Sequence, residues 1–99
     1  DGAKARFEAA LNTLKQNPNV DPTKIGAIGY CFGGSVVLSM ANAGYDLDAV
    51  AAFHSGIQLP IWPEQGAVKG NILVCNGAND PMIMEADVAN FKNKLDSAG

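Results

Sequence analysis

A chain of 99 residues has the length of one small domain, and its formal charge of −3 comes with only seven Lys and Arg, which are scattered rather than striped. That pattern excludes a basic surface able to neutralise a phosphate backbone, so nucleic acid is not expected as a partner. Apolar residues make up 47% and charged residues 17%, which predicts a core-forming chain, and no apolar run approaches the ~18 residues of a membrane span.

In chain order, Phe7, Leu11 and Leu14 recur at i, i+4 and i+7 and predict a first helix, which Asn17-Pro18 stops. Lys24 to Tyr30 (KIGAIGY) is short, apolar and bounded by turn residues, and reads as a strand. Val36, Val37, Met40 and Ala41 form the inner stripe of a second helix ending near Gly44. Asp48 to Ser55 (DAVAAFHS) reads as a second strand. From Gln58 to Lys69, with Pro60, Trp62, Pro63 and Gly66, a long loop is expected where a parallel connection usually carries a helix. Ile57, Leu59, Ile61 and Trp62 suit an ordinary core cluster better than a pocket lining. Asn71 to Asn76 (NILVCN) is a third strand, and Val88, Phe91 and Leu95 mark a last helix with Lys92 and Lys94 in its final turn.

Continuous apolar runs, rather than alternating ones, predict parallel strands covered on both faces. The fold class is therefore α/β: about three parallel strands with flanking helices and right-handed crossovers. So thin a sheet would expose apolar edges, which folded proteins normally cover. Residues 1–99 are accordingly expected to form a single incomplete domain, the central part of a larger sheet. The opening Asp1-Gly2, without Met, agrees with a fragment or a processed form. No basic start followed by an apolar stretch marks a secretory leader.

Gly29-Tyr30-Cys31-Phe32-Gly33-Gly34 follows a predicted strand and opens a predicted helix, the context of a G-x-nucleophile-x-G elbow with Cys in place of Ser. A sharp strand-to-helix turn leaves its tip residue strained, and side chains two positions before and after it are expected to collide, hence Gly29 and Gly33. Gly34 would let the helix pack closely on the sheet. At a helix N-terminus, unpaired N–H groups and the dipole favour the thiolate of Cys31, and the Phe32 N–H would face a developing oxyanion. A phosphate-binding turn is the bland alternative, but Gly26, Gly29, Gly33 and Gly34 fit neither nucleotide fingerprint.

Asp80, in Asn76-Gly77-Ala78-Asn79-Asp80-Pro81, falls just past the third strand, at the same sheet edge as Cys31. It reads as the acid of a triad, against a simple turn-forming or helix-capping role. The nucleophile, acid, base order calls for a histidine after Asp80, and the chain has none there. The sole histidine, His54, ends the second strand near the catalytic edge. It is structural or pocket-lining in expectation and out of order as a base. Cys31 and Cys75 make neither a disulfide framework nor a C-x-x-C pair, so no metal site is expected and a reducing cytoplasm is the default compartment.

Ile25-Gly26-Ala27-Ile28-Gly29-Tyr30-Cys31-Phe32-Gly33-Gly34, Ala52-Phe53-His54-Ser55-Gly56 and Gly77-Ala78-Asn79-Asp80-Pro81 resemble the dienelactone hydrolase (carboxymethylenebutenolidase-like) family of α/β-hydrolases. The lead-in Val20-Asp21-Pro22-Thr23-Lys24 extends the resemblance, which covers most of the chain from about residue 20. It implies a partial α/β-hydrolase fold, with Cys31 as nucleophile, Asp80 as acid and the Phe32 N–H in the oxyanion hole. It implies cleavage of a small ester or lactone through an acyl-enzyme, without metal or organic cofactor. It further implies that the N-terminal strands and the last strand with its histidine loop lie outside these residues, which would leave the 99 residues inactive alone.

Two other readings stand beside this one. A non-catalytic binding domain on the same scaffold would explain the missing histidine. A redox sensor using Cys31 would need a resolving thiol close by, and Cys75 is expected to be a buried mid-strand cysteine.

Overall fold

The computed structural model describes residues 2–57, 59, 61–77 and 85–98. Its elements are α1 (Gly2–Gln16), β1 (Gly26–Tyr30), α2 (Phe32–Asn42), β2 (Ala49–Phe53), β3 (Asn71–Cys75) and α3 (Glu85–Ala98). The strands form one parallel sheet in the order β1-β2-β3. The partial α/β architecture expected from the sequence is the one observed. The long connection from β2 to β3 contains no helix or strand among the described residues.

The carboxyl end of each helix has a visible local cause. The Asn17 side chain accepts the Asn19 N–H at 2.9 Å, an Asx turn that with Pro18 ends α1. Past the end of α2 comes Gly44 at φ 93, the left-handed conformation that a glycine adopts without a Cβ penalty. The Gly44 N–H reaches the Ala41 carbonyl at 3.1 Å and closes that end. α3 runs to Ala98, one turn past the basic residues expected at its close, and the Gly66 N–H caps its Ala98 carbonyl at 2.8 Å.

The core lies between one face of the sheet and the helices. Val50 and Ala52 of β2 meet Val37, Leu38 and Ala41 of α2, with Leu11 of α1 and Phe91 of α3 closing the cluster. Burying side chains such as Leu38 stabilises the fold by ~1.5–3 kcal/mol each. Ile57 and Leu59 belong to this core, and Trp62 packs on it with its ring edge-on to Phe91 at 6.0 Å between centroids. Asn42, itself buried, donates from Nδ2 to the Ile61 carbonyl at 2.9 Å and ties the end of α2 to the same loop.

The two faces of the sheet differ. The register sets Ile28, Ala51 and Leu73 in one row, and among the described residues no helix covers it. Ile28 is 61% exposed, Leu73 56% and Tyr30 64%. Apolar residues occur on both faces, which is why the runs look continuous, yet among the described residues helices cover only the face with Val50 and Ala52. Among the described residues no helix is long and apolar enough to cross a membrane.

Candidate active site

Parallel pairing continues past the carboxyl ends of the strands. The Cys31 N–H donates to the Phe53 carbonyl at 3.0 Å, and the His54 N–H donates to the Cys75 carbonyl at 2.9 Å. Tyr30, Phe53 and Cys75 share a register row, so Cys31, His54 and Asn76 each stand one step beyond the sheet on neighbouring strands. Adjacent strands lie ~4.8 Å apart, which makes His54 the next-strand neighbour of Cys31.

Cys31 is exposed and has φ 55 and ψ −122. A side chain at positive φ is strained by roughly 1–3 kcal/mol, and such strain persists only where surrounding structure enforces it. Here the enforcement is visible on both sides. The Cys31 N–H is held by Phe53, and the Cys31 carbonyl already accepts the Ser35 N–H of the first helical turn at 3.2 Å. The Cys31 side chain makes no cap hydrogen bond to α2. Phe32 is the first residue of α2 and 78% exposed, so its N–H is one of the amides that a helix start leaves without an intrahelical partner.

The glycines around the tip divide into two kinds. A Cβ on Gly29 would overlap the backbone of Gly33 and approach the Gly34 nitrogen at 2.6 Å. A Cβ on Gly34 would overlap the Ser55 hydroxyl, since helix and strand end are in direct contact there. At Gly33 an added Cβ meets nothing within 4 Å, so the expected collision at that position is absent. The crowding belongs to Gly29 because its own Cβ direction points across the turn at Gly33.

His54 is exposed and, like Cys31, has positive φ, at 53. Asp80, the expected acid, lies outside the described residues, as do Pro81 and Met82 to Met84. Cys75 is half-buried at the last position of β3 rather than deep in mid-strand. Its Cα partner in the register is Phe53, and the Phe53 ring stacks on Tyr30 at 5.0 Å. Ser55 and Asn76, which the sequence did not single out, are joined behind the elbow. Asn76 Oδ1 accepts the Ser55 N–H at 3.0 Å, and its Nδ2 donates to the Ser55 carbonyl at 3.4 Å. Among the described residues no three His, Cys, Asp or Glu side chains converge as a metal site would require.

The whole chain, residues 1–99, matches the model of the dienelactone hydrolase family. An uncharacterized protein of Caenorhabditis elegans is 38% identical over 95 residues, covering 93% of this chain and 60% of the relative. A putative carboxymethylenebutenolidase of Synechocystis is 30% identical over 98 residues, covering 90% of this chain and 39% of the relative. Among solved structures, m3DLH superposes with a TM-score of 0.87 at 38% identity, over 98% of this chain and 40% of that one. A dienelactone hydrolase-like promiscuous phosphotriesterase from metagenomic libraries superposes with a TM-score of 0.82 at 33% identity, over 97% and 40%. The chain thus spans between two fifths and three fifths of the length of these relatives.

Proposed function

The chain belongs to the dienelactone hydrolase family, and on that premise we propose that its protein hydrolyses a small carboxylic ester or lactone with Cys31 as nucleophile. The observation that carries the reading is the conformation of Cys31, exposed at positive φ between β1 and α2. That geometry suits covalent catalysis, which needs a nucleophile accessible to substrate and beside a helix N-terminus.

In this mechanism the thiol gives its proton to a general base and the thiolate attacks the acyl carbon. The carbonyl π electrons move to oxygen, and the Phe32 N–H donates to the oxyanion. Collapse expels the alkoxide, which takes the proton from the base and leaves a thioester on Cys31. In a lactone the alkoxide remains tethered to the acyl group. Water, deprotonated by the same base, then attacks the thioester, and collapse expels the thiolate, which takes the proton back from the base as the carboxylic acid leaves. Asp80 orients and stabilises the protonated base. The base is a histidine contributed by polypeptide outside residues 1–99. These residues are one part of a larger α/β-hydrolase domain and are inactive alone. His54 lines the pocket beside the nucleophile. No metal or organic cofactor is required, and two free thiols suit a reducing cytoplasm.

The test is made on the protein as its gene encodes it, with a nitrophenyl ester as substrate. Iodoacetamide is expected to label Cys31 and abolish turnover, and Cys31→Ala to lower kcat by at least ~10³-fold. Full esterase activity in Cys31→Ala would end the proposal, and no ester turnover by the unsubstituted protein would favour a binding domain on the same scaffold.

A further inference from the structure

The elbow is held from behind by a hydroxyl with no part in the mechanism above. The Phe53 carbonyl, which receives the Cys31 N–H at 3.0 Å, also accepts the Ser55 hydroxyl at 3.2 Å. Ser55 is 0% exposed. Its Cβ lies 2.7 Å from where a Cβ on Gly34 would stand, so it fills the space left open in the first turn of α2. Asn76, the residue after β3, grips both the N–H and the carbonyl of Ser55. A continuous path therefore runs from the end of β3 through Ser55 and the Phe53 carbonyl to the backbone nitrogen of Cys31.

We infer that Ser55 is a positioning residue for Cys31, and that Asn76 holds Ser55 in the orientation this requires. The inference rests on the reading of Cys31 as nucleophile. A buried hydroxyl is unfavourable unless bonded, and an apolar side chain of similar size would fill the space as well. The hydroxyl adds a second donor to the carbonyl that anchors the strained tip. With both donors in place, the Phe53 peptide cannot rotate without breaking one of them. The height of the Cys31 backbone over the α2 N-terminus is set accordingly. Displacement of a reacting atom by about 1 Å can lower turnover ~10²-fold, so a partial loosening is expected to lower it by about tenfold.

The experiment uses the protein as its gene encodes it and compares Ser55→Ala, Asn76→Leu, Asn76→Asp and Cys31→Ala. Ester turnover and the pH profile of iodoacetamide labelling at Cys31 are read on protein shown to be folded by circular dichroism. Ser55→Ala and Asn76→Leu are expected to lose about tenfold in kcat at unchanged KM, with labelling slowed across the profile. Asn76→Asp keeps the acceptor for the Ser55 N–H at 3.0 Å and gives up the longer Nδ2 bond at 3.4 Å, so it is expected to fall between the parent and Asn76→Leu. Folded Ser55→Ala with unchanged kcat and unchanged labelling would overturn the inference while leaving Cys31 as nucleophile intact. If Ser55→Ala does not fold, the contrast between Asn76→Leu and Asn76→Asp decides, and equal activity in the two overturns it. Full activity in Cys31→Ala removes the nucleophile itself, and the inference with it.

Discussion

Asp48 brackets the peptide of Ile25 from both sides. Its carboxylate accepts the Ile25 N–H at 2.6 Å, and its own N–H donates to the Ile25 carbonyl at 2.7 Å. Ile25 is 4% exposed and precedes β1, while Asp48 precedes β2. The amino ends of the two strands are thereby locked in register, opposite the end that carries Cys31. Removing the carboxylate leaves the amide of a buried residue without its acceptor. Asp48→Ala is expected to destabilise the fold by about 1–3 kcal/mol, and Asp48→Asn, which keeps an acceptor, by less. Urea unfolding midpoints of the two variants check this, and equal losses would contradict it.

The two glycines flanking Cys31 are expected to respond oppositely to alanine. Gly29→Ala pushes a Cβ into the Gly33 backbone, so the turn must open and stability falls, with ester turnover falling alongside it under the proposed function. Gly33→Ala adds its Cβ in open space inside a helix, where alanine is favoured over glycine by about 0.5–1 kcal/mol. Thermal melts of the pair provide the measurement. Equal destabilisation by both would contradict the turn geometry.

Tyr45 gives a pH-dependent handle far from the site. Its hydroxyl donates to the Glu8 carboxylate at 2.8 Å, joining the segment after α2 to α1. That hydrogen bond holds the phenol above its ordinary ionisation range, with desolvation and the Glu8 charge adding in the same direction. A raised phenol value means that the folded state retains the proton more tightly than the unfolded chain. The contribution is fully present below the ordinary phenol range and is lost as pH rises through the higher folded value. Magnetic resonance titration of the Tyr45 ring itself is expected to show a higher midpoint than in Glu8→Ala. Coincident curves would show that the bond does not persist in solution.

The three strands and three helices were legible because apolar runs, Gly and Pro mark them locally. Their ends were less so. The second strand stops at Phe53 rather than Ser55, because His54 turns to positive φ, and nothing in the pair His54-Ser55 announces that turn. Cys31 was legible because an elbow is written within six consecutive residues. Ser55, Asn76 and Asp48 were not, since their partners lie 21 and 23 residues away and only the sheet register brings them together. What covers the face of Ile28 and Leu73 was not legible for a related reason. An apolar side chain records that a surface prefers cover, not which segment provides it.

The backbone at Cys31 separates two quantities that usually move together. Replacing the residue with alanine or with glycine removes the sulfur equally, but only glycine is at ease at φ 55. Cys31→Gly is therefore expected to unfold at a higher temperature than Cys31→Ala, by about 1 kcal/mol in stability, while under the proposed function neither is expected to turn over esters. In a screen that rewards heat tolerance alone, position 31 would drift away from cysteine, so any retention of the thiol has to come from selection on chemistry.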